Sequence, residues 1–238
     1  MTQTPVDEVH ETRIDLWADV VCPWCWIGKR RVEEAVAASE RPAEVTVLMH
    51  AFELDPGTPV GSGALVVDHL ARAYGTDRAG AEQMQDRVAG LAREAGLPMD
   101  LTAQVRANSL DDHRLVALGL EQGGPALQSA VAERMFSAHF AEGKVIDDHE
   151  VLQRLAAEAG LDEAGVASVL ASDELTDVVR ADEDLARRLG ITGVPFAVAR
   201  AGDGNGVAVS GAQPVEVFGQ LITQARSHQT ARSGGRAV

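Results

Sequence analysis

IDLWADVVCPWCWIGKRR, residues Ile14 to Arg31, reads as a strand that hands over to a helix at a pair of cysteines. Ile14, Leu16, Trp17, Val20 and Val21 form an apolar, β-prone run that stops at Cys22-Pro23-Trp24-Cys25. Gly28, Val32, Ala35, Val36 and Ser39 then recur along one helix face. Cys22 therefore falls at the helix cap and Pro23 at the first helical position, where its missing N–H costs nothing. Unpaired N–H groups and the helix dipole favour negative charge at that end. A thiol there is expected to ionise more easily, and the thiolate is the nucleophile. Two cysteines with two residues between them can also close a disulfide across one turn, so the motif reads as a thiol–disulfide redox site.

The competing reading of C-x-x-C is half of a structural zinc site, which needs two further ligands. The chain has no third cysteine, and its seven histidines offer no H-x3-5-H pair. No metal ligand and no cofactor is therefore expected. The 238 residues are enough for one large domain or two interleaved ones. A net charge of −15 argues against nonspecific binding to nucleic acid or to an anionic membrane surface. No apolar run approaches the ~18 residues that a membrane span needs. The polar, acidic start MTQTPVDEVHETR has neither the basic region nor the apolar core of a secretory signal. Only two cysteines are present, both in the redox motif, and the expected compartment is the cytoplasm.

Arg41-Pro42-Ala43 breaks the first helix, and Val45, Val47, Met49 and Ala51 alternate as a second strand. Phe52 to Gly63 leaves it as a loop. From about Leu65 to Gly190 the pattern is helical, with Met84, Val88, Leu91, Ala92 and Ala95 on one face and Gly96-Leu97-Pro98 as a stop. Further amphipathic runs cover roughly 111–122, 125–142, 148–159, 162–171 and 174–189. Ile191 to Val198 resumes a strand, Gly202-Asp203-Gly204-Asn205-Gly206 turns it, and Val207 to Val209 completes a hairpin. A last helix is expected over about 215–226. The chain thus divides into a thioredoxin-like α/β domain in two halves, 10–64 and 186–226, and an all-helical insertion, 65–185. A tail, 227–238, is expected to be disordered.

Pro195 stands at the start of a strand, where it removes a ladder donor. It reads either as an edge or turn proline or as a cis-proline loop packed beside Cys22-Pro23-Trp24-Cys25. In the second reading Val194 offers its backbone to an extended substrate.

The stretches DVVCPWCWIGKRR, FELDP, NSLDDHRL, MFSAHFAEGKVIDDHEVL, GITGVPFAV and SGAQP, in that order from residue 19 to 214, resemble the DsbA-like branch of the thioredoxin superfamily. They look most like its FrnE-type group of polyketide-biosynthesis dithiol–disulfide isomerases. Two residues depart from that pattern: Asp112 precedes His113 where a small residue is common, and Ala197 stands where an aromatic is common. Both bear on substrate preference. The resemblance implies a thioredoxin-like fold interrupted by helices that cover the active-site face. It implies that Cys22 attacks as an exposed thiolate, that Cys25 resolves the mixed disulfide, and that Pro23 and Trp24 tune the potential and shape the rim. Substrate-binding candidates are then Val194, Pro195, Pro23 and Trp24, and cleft candidates are Trp26, Asn108 and His113. Trp26 reads also as a packing residue and His113 as a structural histidine, and Asp19 reads either as a contact to the site from the strand or as a solvated or hydrogen-bonded strand-end carboxylate. Lys29-Arg30-Arg31 reads as a solvated helix face.

The expected function is thiol–disulfide exchange with protein or low-molecular-weight thiols and disulfides, glutathione among them. Two alternatives stand beside it. Groups similar in architecture, the 2-hydroxychromene-2-carboxylate isomerases and kappa-type glutathione transferases, generally carry serine at the attacking position; both cysteines here favour redox chemistry. The other alternative is a non-catalytic binding protein gated by its disulfide state.

Overall fold

The computed structural model describes residues 12–202 and 205–233. Residues 10 and 11 of the expected domain, Asp203 and Gly204 of the expected turn and residues 234–238 of the expected tail lie outside the described residues.

Strand β1 (Thr12–Ala18) runs into the cysteine pair and helix α1 (Pro23–Ala37) leaves it. Every residue of β1 except Arg13 is buried, as expected of a strand covered on both faces. Cys22 is the N-cap of α1, in extended conformation, and Pro23 is its first residue. A short 3-10 turn over Pro42–Glu44 leads to β2 (Val45–Ala51), which pairs parallel with β1 from Thr12 opposite Val45 to Ala18 opposite Ala51. Helices α2 (Val66–Tyr74), α3 (Arg78–Glu94), α4 (Leu110–Phe140), α5 (His149–Ala159), α6 (Glu163–Leu170) and α7 (Thr176–Arg188) follow. Strand β3 (Phe196–Ala201) then pairs antiparallel with β1, with Phe196 opposite Trp17, and β4 (Val207–Ser210) pairs antiparallel with β3. Helix α8 (Val215–Ser233) ends the described chain. The sheet order is β2-β1-β3-β4, the split thioredoxin-like arrangement read from the sequence.

Three local expectations are corrected. β3 begins at Phe196 rather than Ile191, because Pro195 cannot donate to the ladder; its carbonyl instead accepts from Gly211 N at 2.8 Å. α8 continues to Ser233, through residues expected to be disordered, because neither Gly nor Pro interrupts the chain between Gly219 and Gly234. Residues 95–109 form an irregular segment between α3 and α4, opened by Gly96 at φ 70°.

Helix α4 consists of two arms. Gly123 and Gly124 leave helical dihedrals, Gly124 at φ 68°, and Pro125 starts the second arm. A Cβ on Gly119 would lie 3.1 Å from Gln128 Cα, so the arms approach as closely as a glycine allows. Gln128 uses both ends of its amide on the β2 edge: Oε1 accepts from Met49 N at 3.0 Å, and Nε2 donates to Met49 O at 2.9 Å. An otherwise unpaired strand edge is thereby covered.

Lys29, Arg30 and Arg31 do not form a solvated face. Lys29 is buried, with Nζ donating to Glu33 Oε1 at 2.7 Å and Glu133 Oε2 at 2.9 Å. Arg30 reaches Glu133 Oε1 at 2.9 Å, and Arg31 donates to Ala212 O at 2.7 Å. Glu133 on α4 supplies the charge that a buried ammonium requires. One apolar core, with Ile14, Leu16, Val32, Ala199, Phe218 and Leu221, lies between the sheet and α1 and α8. Another joins Ala18, Val20, Cys25 and Ile27 to Leu115, Met135 and Phe136 of α4, so the cysteine helix and the inserted helices share one interior.

Candidate active site

Both cysteines are free thiols at the start of α1. Cys22 N donates to Asp19 O at 3.0 Å and Cys25 N to Cys22 O at 3.0 Å, which closes the turn that opens the helix. Cys22 is not an exposed thiol: it is 4% accessible, and Cys25 is 0%. The loop before β3 covers it. The Val194–Pro195 bond is cis, and Val194 O lies 4.0 Å from Cys22 Sγ. Pro195 seats on α1 where Gly28 leaves room; a Cβ on Gly28 would come within 2.7 Å of Pro195 Cγ. Burial first, then hydrogen bonding to Cys22, pushes the Cys25 thiol well above its ordinary range.

Beside the pair opens a cavity of about 550 Å³, a size typical of small-ligand sites. Val21, Pro23 and Trp24 form its wall on the cysteine side, and Leu70, Val88 and Leu101 line the inserted side. Trp24, 37% exposed, stands at this cavity. Arg106 also lines it, but its guanidinium is engaged by Asp55 and by Thr58 Oγ1 at 2.7 Å.

Pro23, Trp24, Val194 and Pro195 thus gather around Cys22, whereas the three cleft candidates do not line this cavity. Trp26 is buried, donates Nε1 to Glu133 Oε1 at 3.0 Å and stacks on Phe136 and Phe140 at centroid distances of 6.2 and 6.0 Å. Asn108 is half-buried and organises the start of α4: Nδ2 donates to Thr58 O at 2.9 Å and Oδ1 accepts from Leu110 N at 3.1 Å. His113 is buried behind the site, with Nε2 3.4 Å from Asp19 Oδ1.

Asp19 is fully buried: it is the hydrogen-bonded strand-end carboxylate rather than the solvated one, and it also meets the cysteine pair from the strand. Its Oδ2 accepts from Leu54 N at 2.7 Å, its Oδ1 from Val21 N at 3.3 Å, and its own N–H points to Cys25 Sγ at 3.4 Å. Sequence reasoning noticed Asp19 and His113 separately but not their pairing, since nothing in their spacing brings β1 and α4 together. Glu53, of the FELDP stretch after β2, is buried and paired with Arg180 of α7, a partner its sequence position does not show. Among the described residues no group of three or more His, Cys, Asp or Glu is arranged to hold a metal ion, and no helix is long and apolar enough to cross a membrane.

The family described as the DSBA-like thioredoxin domain matches residues 13–223. A probable DsbA oxidoreductase from Streptomyces coelicolor is 37% identical, with a TM-score of 0.84 over 91% of this chain and 91% of that one. The cytosolic disulfide reductase DsbM from Pseudomonas aeruginosa, in its structure with GSH, shares the fold at 23% identity and a TM-score of 0.62, over 90% of this chain and 99% of that one. An uncharacterized protein of Bacillus subtilis, YwbO, is 27% identical over 215 residues, 88% of this chain and 95% of its own length.

Proposed function

The chain belongs to the DSBA-like thioredoxin domain family and is a thiol–disulfide oxidoreductase, and from that premise we propose that Cys22 and Cys25 carry the exchange, Cys22 as attacking and Cys25 as resolving thiol. The observation that carries this assignment is the placement of the pair: Cys22 caps α1 beside the cavity and Val194, while Cys25 is sealed one turn further in. The Cys22 thiolate attacks a substrate disulfide, forming a mixed disulfide and releasing one substrate thiolate. Cys25 then loses its proton and attacks Cys22 Sγ, which expels the second thiolate. The substrate disulfide is reduced by two electrons, and Cys22 and Cys25 are oxidised to a disulfide; a dithiol or two monothiols reverse the change.

Val194 and Pro195 form the backbone ledge on which a substrate strand lies, and Pro23 and Trp24 form the rim. Substrates are protein or low-molecular-weight disulfides in the cytoplasm, glutathione disulfide among those to be tested. Retention of both thiols favours redox exchange over glutathione conjugation or isomerisation, and over a purely gated binding role.

Insulin reduction by dithiothreitol is the test. The protein should accelerate precipitation of the insulin B chain, Cys22→Ser should abolish the acceleration, and Cys25→Ser should accumulate mixed disulfides on Cys22. No acceleration by the native chain, together with conjugation of glutathione to a chromogenic electrophile, would overturn the proposal.

A further inference from the structure

The cavity of about 550 Å³ beside the cysteine pair takes walls from both parts of the chain. Val21 and Pro23, the neighbours of Cys22, line it on one side, and Leu70 of α2, Val88 of α3 and Leu101 line it on the other. Val194 and Pro195 are not among its lining residues, so it is separate from the ledge assigned to a substrate strand. Eight large apolar side chains are exposed among the described residues, and three of them, Trp24, Leu54 and Tyr74, stand on this cavity. Exposed apolar surface gathered around a concavity marks a ligand site, whereas scattered single residues do not. Trp24 and Tyr74 also offer ring faces against which another ring can pack.

The polar groups of the lining are already matched to one another. Arg106 and Asp55 form an ion pair, and the same guanidinium donates to Thr58 Oγ1 at 2.7 Å. Gln85 Nε2 donates to Leu101 O at 3.0 Å, and Gln104 meets His139 Nε2 at 2.7 Å. Burial holds His139 uncharged, at a value of about 4. Burial first, then the charge of Arg106, holds His69 below the ordinary imidazole range. Asp55 and Arg106 are the permanent charges of the lining, and they cancel. No lining cation is left for a ligand carboxylate, and no lining carboxylate for an ammonium. Glutathione carries two carboxylates and an ammonium, and a charged group entering such a cavity loses its water without gaining a partner. The net charge of −15 also disfavours an anion wherever no local cation receives it.

We propose that this cavity binds an uncharged aromatic group, so that the low-molecular-weight substrates of Cys22 are neutral aryl thiols and disulfides rather than glutathione. The substrate half of the proposal rests on Cys22 as attacking thiol; the binding of the ring does not. With a neutral aryl disulfide in the cavity, the Cys22 thiolate attacks one sulfur, the aryl S–S bond breaks and one arenethiolate leaves. Cys25 gives its proton to solvent and attacks Cys22 Sγ, which expels the second arenethiolate. Two electrons pass from the cysteine pair to the aryl disulfide, and a Cys22–Cys25 disulfide remains. An arenethiolate is a better leaving group than an alkyl thiolate, because its thiol is the stronger acid.

The test measures binding and exchange separately. Calorimetry on the native chain uses three thioethers that cannot exchange: 4-(methylthio)benzamide, 4-(methylthio)benzoate and S-methylglutathione. The benzamide should bind about 10-fold more tightly than either of the others, because it alone has no charge to desolvate. Met84 lines the cavity half-buried on α3, and Met84→Arg sets a cation on that wall. This variant should shift the ratio of benzoate to benzamide affinity by about 10-fold towards benzoate. Leu70→Arg makes the same change from α2 where lost ellipticity shows Met84→Arg to be misfolded. Exchange is followed as arenethiol released by the reduced chain from bis(4-carbamoylphenyl) disulfide and bis(4-carboxyphenyl) disulfide, each rate divided by that with free cysteine. The carbamoyl compound should lead by about 10-fold. Equal binding of benzamide and benzoate, no binding of benzamide, or a ratio that neither arginine variant moves would overturn the inference. Tighter binding of a capped apolar peptide than of benzamide would make the cavity part of the strand site and overturn it likewise. Binding of benzamide with no exchange of either disulfide would instead overturn Cys22 as attacking thiol.

Discussion

Asp112 is completely buried, and neither carboxylate oxygen has a hydrogen-bond partner among the described residues. Such a group costs about 1–3 kcal/mol relative to a well-paired or apolar one. Because its folded carboxyl holds its proton above the ordinary range, the unfolded chain ionises first as pH rises. The folded state then binds more protons, so this residue lowers stability progressively above pH ~4, the unfolded carboxylate value. Asp112→Ala should therefore raise the free energy of unfolding by about 1–3 kcal/mol at pH 7 and by less at pH 4. Urea titrations at the two pH values check this, and a variant less stable at pH 7 would contradict it. Residues of this kind resist sequence reading. An acidic residue in the first turn of a helix ordinarily reads as a solvated partner of the dipole, and only tertiary packing makes it a buried acid. Cys22 and Cys25 were legible for the opposite reason: their chemistry depends on local spacing and a helix start. Even there the accessibility of Cys22 was misjudged, because the covering Val194 is remote in sequence.

At the scale of elements, the inserted helices are tied to the sheet by polar clamps as well as by apolar packing. His50 of β2 stacks on Trp17 of β1 at 4.7 Å. Its Nε2 donates to Asp15 Oδ1 at 2.8 Å and its Nδ1 to Asp182 Oδ1 of α7 at 2.6 Å. Burial alone would lower its pKa, but the hydrogen bonds to Asp15 and Asp182 outweigh burial and raise it to about 9. The clamp is complete below pH ~6.5, the unfolded value, and is lost as pH climbs towards 9. Its loss should remove on the order of 3 kcal/mol, which His50→Gln should forgo at every pH. Denaturation of native and variant chains at pH 6 and 9 measures it: the native chain should weaken with pH and the variant should lack that part of the slope. The Gln128 clamp on Met49 and the Lys29–Glu133 pair act in the same direction. Residues 65–185 expressed alone should therefore give no cooperative thermal transition, since excision exposes Leu115, Met135 and Phe136 where α1 and β1 now cover them. A sharp calorimetric transition from that fragment would show that the insertion folds by itself. The positions of α4 to α7 were read closely from periodicity and glycine punctuation, including the break at Gly123-Gly124, whereas the division between α2 and α3 was not. The clamps were not, because a glutamine or histidine carries no sign in sequence of a partner on another element.

For the whole molecule, the order of strand and helix patterns was enough to predict a sheet domain interrupted by helices, since parallel β1 and β2 need a crossover and the hairpin supplies the other half. What the order could not specify is how completely the sulfur of Cys22 would be enclosed. With Cys22 as the proposed attacking thiol, 4% accessibility favours a partner that brings its own sulfur out on a strand or a slender stem. The partner's local opening equilibrium is then expected to enter the rate. Selectivity then lies as much in the substrate's mobility as in any contact the protein makes. A disulfide in a linear peptide should be reduced faster than the same disulfide in a stable folded domain by a factor that follows the domain's open fraction, measured independently by hydrogen exchange. On the proposed assignment of Cys22 as attacking thiol, its burial predicts a reader of disorder, an enzyme faster on chains that have lost or not yet reached their structure than on those that have it.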